Sequence, residues 1–232
     1  MVRSTLALLV ALALAIPAAA GSPRTIDGAV SADAITTTRL DAGVGDIIVT
    51  AVEGAAEITV SVRLEPRRGG FFSSMKKAQR EVDEAELRMD VSKGVLRLEI
   101  ETDSNDRHFE ENWTIQMPAR TDFNLDLGVG DVEVSGLRGT LNADIGVGDL
   151  VAENIRGDVN LDIGVGEARV VGAAADYGSV AGSGGVGDAK LMVRGEKVSS
   201  SGFVGHSAEW TGDGEHFIEI EIGVGDARVT LD

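Results

Sequence analysis

The chain has 232 residues, of which 38 are acidic, 21 are basic and none is cysteine, so its formal net charge is −17. This charge argues against nucleic acid as a partner, because binding to phosphates requires a basic surface. Without cysteine there is no disulfide, and stability has to come from burial and backbone hydrogen bonds.

Residues 1–20 have the features of a secretory signal peptide. Arg3 is followed by an apolar run from Leu6 to Ile16 and by Ala18-Ala19-Ala20, after which we expect cleavage. The apolar run is too short to span a bilayer, and no later stretch is apolar enough for a membrane helix. We therefore expect an exported protein, periplasmic or secreted, with no transmembrane segment and one domain over residues 21–232.

Residues 21–122 predict irregular N-terminal coils built from strands. The segments 47–49 and 58–64 are rich in β-branched residues, which favour strands. The segments 87–91 and 95–100 predict a hairpin around Ser92-Lys93-Gly94. A further strand is expected from Trp113 to Met117, before Pro118.

An insertion at residues 66–86 interrupts these strands and predicts a short helix, because apolar residues recur there at helical spacing. The insertion also combines basic, aromatic and sulfur-containing side chains. Its candidate interaction residues are Arg67, Arg68, Phe71, Phe72, Met75, Lys76 and Lys77. One interpretation is that the phenylalanines cap an end of the fold. The other is a contact surface at residues 67–80 for an acidic partner or, peripherally, an anionic membrane.

Residues 123–232 form a regular repeat array. The phrase Gly-Val-Gly-Asp, or a close variant, recurs after an early copy at 41–46, and its second glycines are separated by steps of 18, 18, 21, 18 and 20 residues. These glycines are Gly130, Gly148, Gly166, Gly187, Gly205 and Gly225, the copy at 202–206 being degenerate. Units too short to bury a face alone have to stack on one another. The pattern predicts an all-β fold, a β-solenoid resembling a single-stranded β-helix, with coils of about 18–21 residues.

Side-chain alternation within one coil predicts which residues face the core. Leu125, Leu127 and Val129 share one parity, whereas Val132 and Val134 share the other. Burying all five requires a change of phase near Gly130-Asp131, where glycine tolerates the backbone that a bulge or corner needs. The equivalent inward residues are Ile145, Val147 and Leu150, and then Leu161, Ile163, Val165, Ala168 and Val170.

Stacking of the coils places equivalent acids in two columns about 4.8 Å apart per step. The first acidic column contains Asp126, Asp144 and Asp162, and the second contains Asp131, Asp149, Glu167 and Asp188. Calcium prefers six to eight oxygen ligands, so these residues are candidates for a calcium site. The alternative is structural, because aspartate beside a turn glycine commonly accepts hydrogen bonds from the backbone.

Signatures of enzymes are weak. Residues 182–187 match a Gly-x-Gly-x-x-Gly pattern, but no helix is expected after them, so the dinucleotide interpretation fails. The three histidines do not have zinc-motif spacing. We therefore expect a non-enzymatic protein with no cofactor other than calcium. The competing class is a carbohydrate-active β-helix enzyme, a polysaccharide lyase or hydrolase, which would cluster carboxylates with Arg or Lys in one groove.

The order of these predicted elements along the chain resembles that of a known protein family. A hairpin, a strand ending at Pro118, and tandem Gly-x-Gly-Asp phrases separated by segments such as 134–139 and 153–158 are similar to the bacterial DUF4097 family, also called toastrack or putative adhesin. The resemblance covers the whole of residues 21–232. It implies a β-solenoid in an exported or envelope-associated protein, without an established enzymatic activity, that binds a protein or an envelope surface.

Overall fold

The computed structural model describes residues 22–67, 75–103, 107–198, 200–201 and 207–232. The predicted signal peptide lies outside these residues, as do Arg68, Phe71, Phe72 and the degenerate repeat at 202–206.

The described residues form twenty strands and one helix. Before the repeat array lie β1 (Arg24–Ser31), β2 (Thr37–Val44), β3 (Ile47–Val52), β4 (Glu57–Pro66), the helix α1 (Met75–Glu84), β5 (Glu86–Ser92), β6 (Val95–Glu101) and β7 (Phe109–Pro118). The array contains β8 (Asp122–Val129), β9 (Val132–Ser135), β10 (Leu141–Val147), β11 (Leu150–Ile155), β12 (Val159–Val165), β13 (Ala168–Gly172), β14 (Tyr177–Val186), β15 (Ala189–Val193), β16 (Glu196–Val198), β17 (Ser200–Ser201), β18 (Ser207–Thr211), β19 (His216–Val224) and β20 (Ala227–Leu231). The prediction of an all-β chain is confirmed.

The strands form two mixed sheets of ten strands each. The spatial order is β1-β4-β7-β3-β9-β11-β13-β20-β15-β16 in the first sheet and β17-β18-β14-β19-β12-β10-β8-β2-β6-β5 in the second. Antiparallel pairs lie at the ends of both sheets, and the strands between them are parallel. One hydrophobic core contains inward side chains from both sheets.

The repeat in the sequence becomes in-register pairing in the sheets. Each coil consists of one strand in the second sheet, a Gly-Val-Gly corner and one strand in the first sheet, as in β8–β9. In neighbouring coils Asp144 pairs with both Asp126 and Asp162, and residues of the first sheet match in the same way. Each position in the phrase therefore forms a row of equivalent residues across the fold.

The order of stacking differs from the order of the phrases in the chain. The last coil, β19–β20, lies between β12–β13 and β14–β15 and pairs with both in parallel. The early phrase, isolated in the sequence, belongs to β2–β3 and pairs directly with β8–β9. A regular solenoid stacks its units in chain order, and this fold departs from that order at both ends.

The Gly-Val-Gly corner carries the change of phase that the alternation predicts, but its position was predicted wrongly. Leu127 and Val132 are both buried although they are five residues apart, an odd number. Strict alternation cannot bury both, so two consecutive residues between them must face outward. These are Gly128 and Val129, and Val129 is 45% exposed. The predicted burial of Val129, Val147 and Val165 is therefore wrong, because the phase changes before the valine rather than after it.

The second glycine of each corner is required by its backbone and by its neighbour. Gly130 and Gly148 have φ values of 150° and 152°, a region that L side chains rarely adopt. A Cβ on Gly148 would also overlap the carbonyl oxygen of Gly130 in the adjacent coil. The coils approach each other so closely at the corner that only a residue without a side chain fits.

The predicted helix and hairpin are both confirmed. Val82 and Ala85 pack into the core, and Arg24 Nη1 donates hydrogen bonds of 2.8–3.0 Å to three carbonyl oxygens at the carboxyl end of α1. In the β5–β6 hairpin, Lys93 and Gly94 have φ values of 52° and 81°, as a two-residue primed turn needs. In the described part of the chain, no helix has the length and apolar character to cross a bilayer.

We predict that Gly148→Ala lowers the free energy of unfolding by about 3 kcal/mol, because it adds a steric overlap to an unfavourable φ. The matched control is Gly195→Ala in the turn between β15 and β16. Gly195 has a φ of 78°, and a Cβ there would lie more than 4 Å from all described residues except its chain neighbours, so we expect a loss of about 1 kcal/mol. Chemical denaturation followed by circular dichroism measures both values. Equal losses would show that φ alone determines the cost.

Candidate functional site

A groove of about 530 Å³ lies on the outer face of the second sheet. It crosses neighbouring strands, so its lining repeats from coil to coil. The lining consists of Arg39, Asn124, Leu125, Asp126, Asn142, Ala143, Asp144, Asn160, Leu161, Asp162, Glu219 and Glu221. Most of its polar side chains belong to two in-register rows, one of amides and one of carboxylates.

The amide row consists of Asn124, Asn142 and Asn160. Asn142 Nδ2 donates to Asn124 Oδ1 at 2.7 Å, and Asn160 Nδ2 donates to Asn142 Oδ1 at 2.9 Å. Asparagine is suited to such a row because its side chain both donates and accepts, so identical neighbours satisfy one another. Arg39 pairs in register with Asn124 at one end, and Glu219 pairs with Asn160 at the other. The amide row is therefore a hydrogen-bonded polar surface with a positive charge, Arg39, at one end and a negative charge, Glu219, at the other.

The carboxylate row is the first acidic column, which the sheet extends beyond its three predicted members. In-register pairing adds Asp41 on one side and Glu221 on the other, and all five side chains are exposed. Within the described residues, Asp126, Asp144 and Asp162 have no hydrogen-bonding or ion-pairing partner. Adjacent carboxylates about 4.8 Å apart repel each other by about 1 kcal/mol in water. This column is therefore open to positively charged ligand groups.

The second acidic column serves the backbone. Asp149 N donates to Asp131 Oδ1 at 3.0 Å, and Glu167 N donates to Asp149 Oδ1 at 2.7 Å. Asp131 N in turn donates to Asp46 Oδ1 at 3.1 Å, which brings the early phrase into the same chain of contacts. The carboxylates thus accept hydrogen bonds from the neighbouring coil rather than from their own turn. They hold adjacent corners together.

Arg228 joins this column to the inserted C-terminal coil. Its Nη1 lies 2.9 Å from Glu167 Oε2, and its Nη2 lies 2.9 Å from Asp226 Oδ2. The longer side chain of glutamate reaches the guanidinium at the step where the chain order changes. Beyond it, Asp188 N donates to Asp226 Oδ1 at 3.0 Å, so carboxylate-to-backbone bonding resumes.

The two columns differ in what their oxygens contact, although the sequence placed them on either side of the same corner. One oxygen of Asp131 and one of Asp149 accept from backbone N–H groups, whereas the oxygens of Asp126, Asp144 and Asp162 have no such donor among the described residues. Among the described residues, no group of three or more histidine, aspartate or glutamate side chains has an arrangement suited to a metal ion. Calcium binding stays a prediction.

We predict that Asp149→Ala lowers the free energy of unfolding by about 1 kcal/mol, because the backbone N–H of Glu167 loses its acceptor. The matched control lies in the same coil. Asp144→Ala removes an exposed carboxylate without a partner and relieves repulsion, so we expect no loss or a small gain in stability. Urea denaturation of the two variants gives both values. Equal destabilisation would contradict the different roles of the two columns.

The predicted interaction residues of the insertion are only partly described. Arg67 is exposed and its Nε lies 3.5 Å from Glu110 Oε1, while Lys77 Nζ lies 3.7 Å from Glu81 Oε1. Lys76 is exposed, and Met75 is half-buried. Ion pairs therefore compensate part of the basic charge, and the inner side of α1 covers the core. The contact surface at residues 67–80 stays a prediction.

Glu111 is a buried carboxyl group that the sequence analysis did not single out. Its side chain is 1% exposed and accepts hydrogen bonds from Arg107 Nη1 at 2.8 Å and from Trp113 Nε1 at 3.2 Å. Burial raises the pKa of Glu111, and the positive charge of Arg107 opposes that shift. Parity could have revealed it, because Phe109, Glu111 and Trp113 lie on the inward side of the same strand.

We predict that wild-type protein gains stability relative to Glu111→Gln as the pH falls from 7 toward 4.5. The folded-state pKa of Glu111 is raised above its ordinary value of 4.5, so the folded protein takes up this proton first. The stability that Glu111 contributes is complete below its pKa in the unfolded chain. It is lost as the pH rises through its pKa in the folded protein. Urea denaturation of both proteins across this range gives the difference in unfolding free energy. A difference that does not change with pH would contradict the raised pKa.

Comparison with known proteins identifies the fold but not a family. No protein-family model matches the chain, and a search of curated proteins finds no match. The chain is similar to the crystal structure of a "putative cell adhesion protein" from Clostridium sporogenes, with 20% identity, a TM-score of 0.61, and coverage of 91% of this chain and 100% of that one. A "putative adhesin" from Bacteroides fragilis aligns at 15% identity and a TM-score of 0.39 over 90% of this chain and 98% of that one. At this identity, the first likeness shows a shared fold.

Proposed function

We propose that this protein is a non-enzymatic, adhesin-like binding module of the bacterial cell envelope, and that it holds its ligand in the groove of the second sheet. One observation carries the proposal: the first acidic column is an evenly spaced row of exposed carboxylates, and its central members Asp126, Asp144 and Asp162 have no partner among the described residues. The similar fold of the Clostridium sporogenes protein, named a "putative cell adhesion protein", supports this class of function.

The proposal includes the architecture and the location of the protein. The in-register coils support a β-solenoid of the toastrack type, modified at both ends by coils stacked out of chain order. The features of residues 1–20 support export to the periplasm or the medium. The Gly-x-Gly-Asp phrases, which form the corners of these coils, support membership of the DUF4097 family.

The chemistry of the groove favours a ligand with several positive charges, such as a basic segment of an envelope protein or an amine-bearing surface polymer. The carboxylate column would contact the charged groups, and the amide row would hydrogen bond to neutral polar groups. A net charge of −17 attracts such ligands from a distance and accelerates their association. Calcium, if it binds, would occupy the same column, because the second acidic column is engaged with the backbone.

The carbohydrate-active alternative fits the groove less well. Arg39 does lie in the groove with carboxylates, as that alternative requires. However, a glycosidase pair needs two carboxyl groups in different environments, so that one is protonated and the other ionised. Asp126, Asp144 and Asp162 are instead equivalent and exposed, and none is placed apart from the others. Binding is the better explanation of a uniform column.

We predict that purified protein (residues 21–232) cosediments with isolated bacterial envelopes and that Asp126→Ala/Asp144→Ala/Asp162→Ala reduces this binding at least tenfold. The variant removes three carboxylates from the groove and leaves the core unchanged. We expect release at about 0.5 M salt, since screening weakens exposed charge contacts. Parallel samples with calcium or EDTA separate direct binding from calcium-mediated binding.

The control variant is Glu57→Ala/Glu133→Ala/Glu153→Ala, which removes three exposed acids of the first sheet and changes the net charge by the same amount. We expect it to bind like the wild type. Equal loss in both variants would mean that overall charge, not the groove, determines binding. Absence of binding by the wild type, or release of soluble sugar from purified envelope polysaccharide, would overturn the proposed function.

A further inference from the structure

A row of exposed valines runs along the Gly-Val-Gly corners, outside the groove. In-register pairs place the six valines in one line, in the order Val44, Val129, Val147, Val165, Val224 and Val186. The last five are 45–60% exposed. We call these five residues the valine ridge. They form an apolar line on a protein whose formal net charge is −17.

Packing within the chain favours a β-branched residue at this position, because the in-register valines lie side by side about 4.8 Å apart, but it does not require an apolar one. The flanking glycines are constrained, because a Cβ on Gly128 would lie 2.5 Å from the carbonyl oxygen of Gly43, and one on Gly130 would overlap that of Gly45. Val129, between them, points to solvent and could be replaced by a polar residue of the same shape. Nevertheless, valine recurs in all six phrases of the described coils. An exposed apolar side chain repeated at every step is typical of a contact surface.

We propose that the valine ridge docks a basic amphipathic α-helix of a partner protein. The charges beside the ridge support this occupant. An acid of the first column lies three residues before four of the five valines, as with Asp126 and Val129, whereas Ser183 holds that position before Val186. An acid of the second column lies two residues after every valine, as with Asp131. Both neighbouring acids are exposed. The complementary surface is an apolar stripe bordered on both sides by Lys or Arg, which is the pattern of a basic amphipathic helix.

The geometry favours a helix over a strand. The backbone at the corners is already paired between coils: Gly130 N donates to Val147 O, and Gly148 N donates to Val165 O, both at 3.0 Å. An added strand would find no free backbone groups there, so the contact must be made by side chains. Five valines spaced by about 4.8 Å extend over about 19 Å, which equals about 13 residues of α-helix. The helical pitch of about 5.4 Å is close to this spacing.

The acidic columns beside the ridge disfavour two other occupants, a second copy of this chain and an anionic membrane. A second copy would bring two acidic columns against two others, each copy carrying a net charge of −17. An anionic membrane would be repelled in the same way. The ridge borders the groove and shares the first acidic column with it, but none of its valines lines the groove. Substitutions of the valines leave every carboxylate of the groove in place, so loss of helix binding and loss of envelope binding are distinguishable.

The test uses a synthetic 18-residue peptide with a leucine stripe bordered by lysines, and a scrambled peptide of the same composition without a stripe. Fluorescence anisotropy measures binding of each peptide to protein of residues 21–232. We expect the striped peptide to bind at least tenfold more tightly than the scrambled one. Val129→Thr/Val147→Thr/Val165→Thr should remove this preference, because it keeps the β-branched shape and all the acids but loses the apolar stripe.

The matched control is Ile48→Thr/Val91→Thr/Met192→Thr, which replaces three exposed apolar residues away from the ridge. It should retain the preference, and both variants should keep the wild-type circular dichroism spectrum and denaturation midpoint. Equal binding of the two peptides to the wild type would overturn the proposal, as would a preference that survives the ridge substitutions. A dimer seen by sedimentation, or binding to anionic vesicles, that these substitutions abolish would assign the ridge to a second copy or a membrane and overturn it as well.

Discussion

The close approach of successive coils at the Gly-Val-Gly corner is the constraint on which the rest of the structure depends. Gly130 N donates to Val147 O in the next coil, and no Cβ fits at either glycine. A shift of the register by one residue would bring a side chain into this gap and turn the core residues outward. The corner thus fixes the register of both sheets, and with it the rows of identical residues on their surfaces.

In-register stacking places identical polar side chains next to one another, and each row makes a different kind of contact. Asparagines such as Asn142 satisfy one another through their amides. Aspartates such as Asp149 accept hydrogen bonds from backbone N–H groups of the next coil. The row containing Asp144 has neither kind of contact among the residues that the structure describes, so the repulsion between its carboxylates is not offset by such contacts. Residues that reduce stability without a structural benefit are typical of binding sites, and the carboxylate row of the groove is such a set of residues.

The last coil of the chain, β19–β20, is inserted between two coils that precede it in the sequence. It pairs with both of them, and Arg228 links Asp226 of its own coil to Glu167 of the β12–β13 coil. β14–β15 therefore reaches its final place only when the last residues of the chain lie beneath it. Contacts of such long sequence separation slow folding, because loop closure comes before the stabilising contacts.

The sequence by itself determined the local structure: the period of about 18 residues, the alternation of core residues such as Leu125 and Leu127, the glycine corners, the hairpin and the helix. Each of these depends on backbone preference or side-chain parity, which neighbouring residues specify. Only the tertiary structure decided which coil pairs with which, since near-identical phrases offer equivalent edges to one another. It also decided that Val129 faces solvent, because parity permits the change of phase on either side of that residue. Asp126 and Asp131 are the same residue type, and their different roles follow from the neighbours that the fold brings to each.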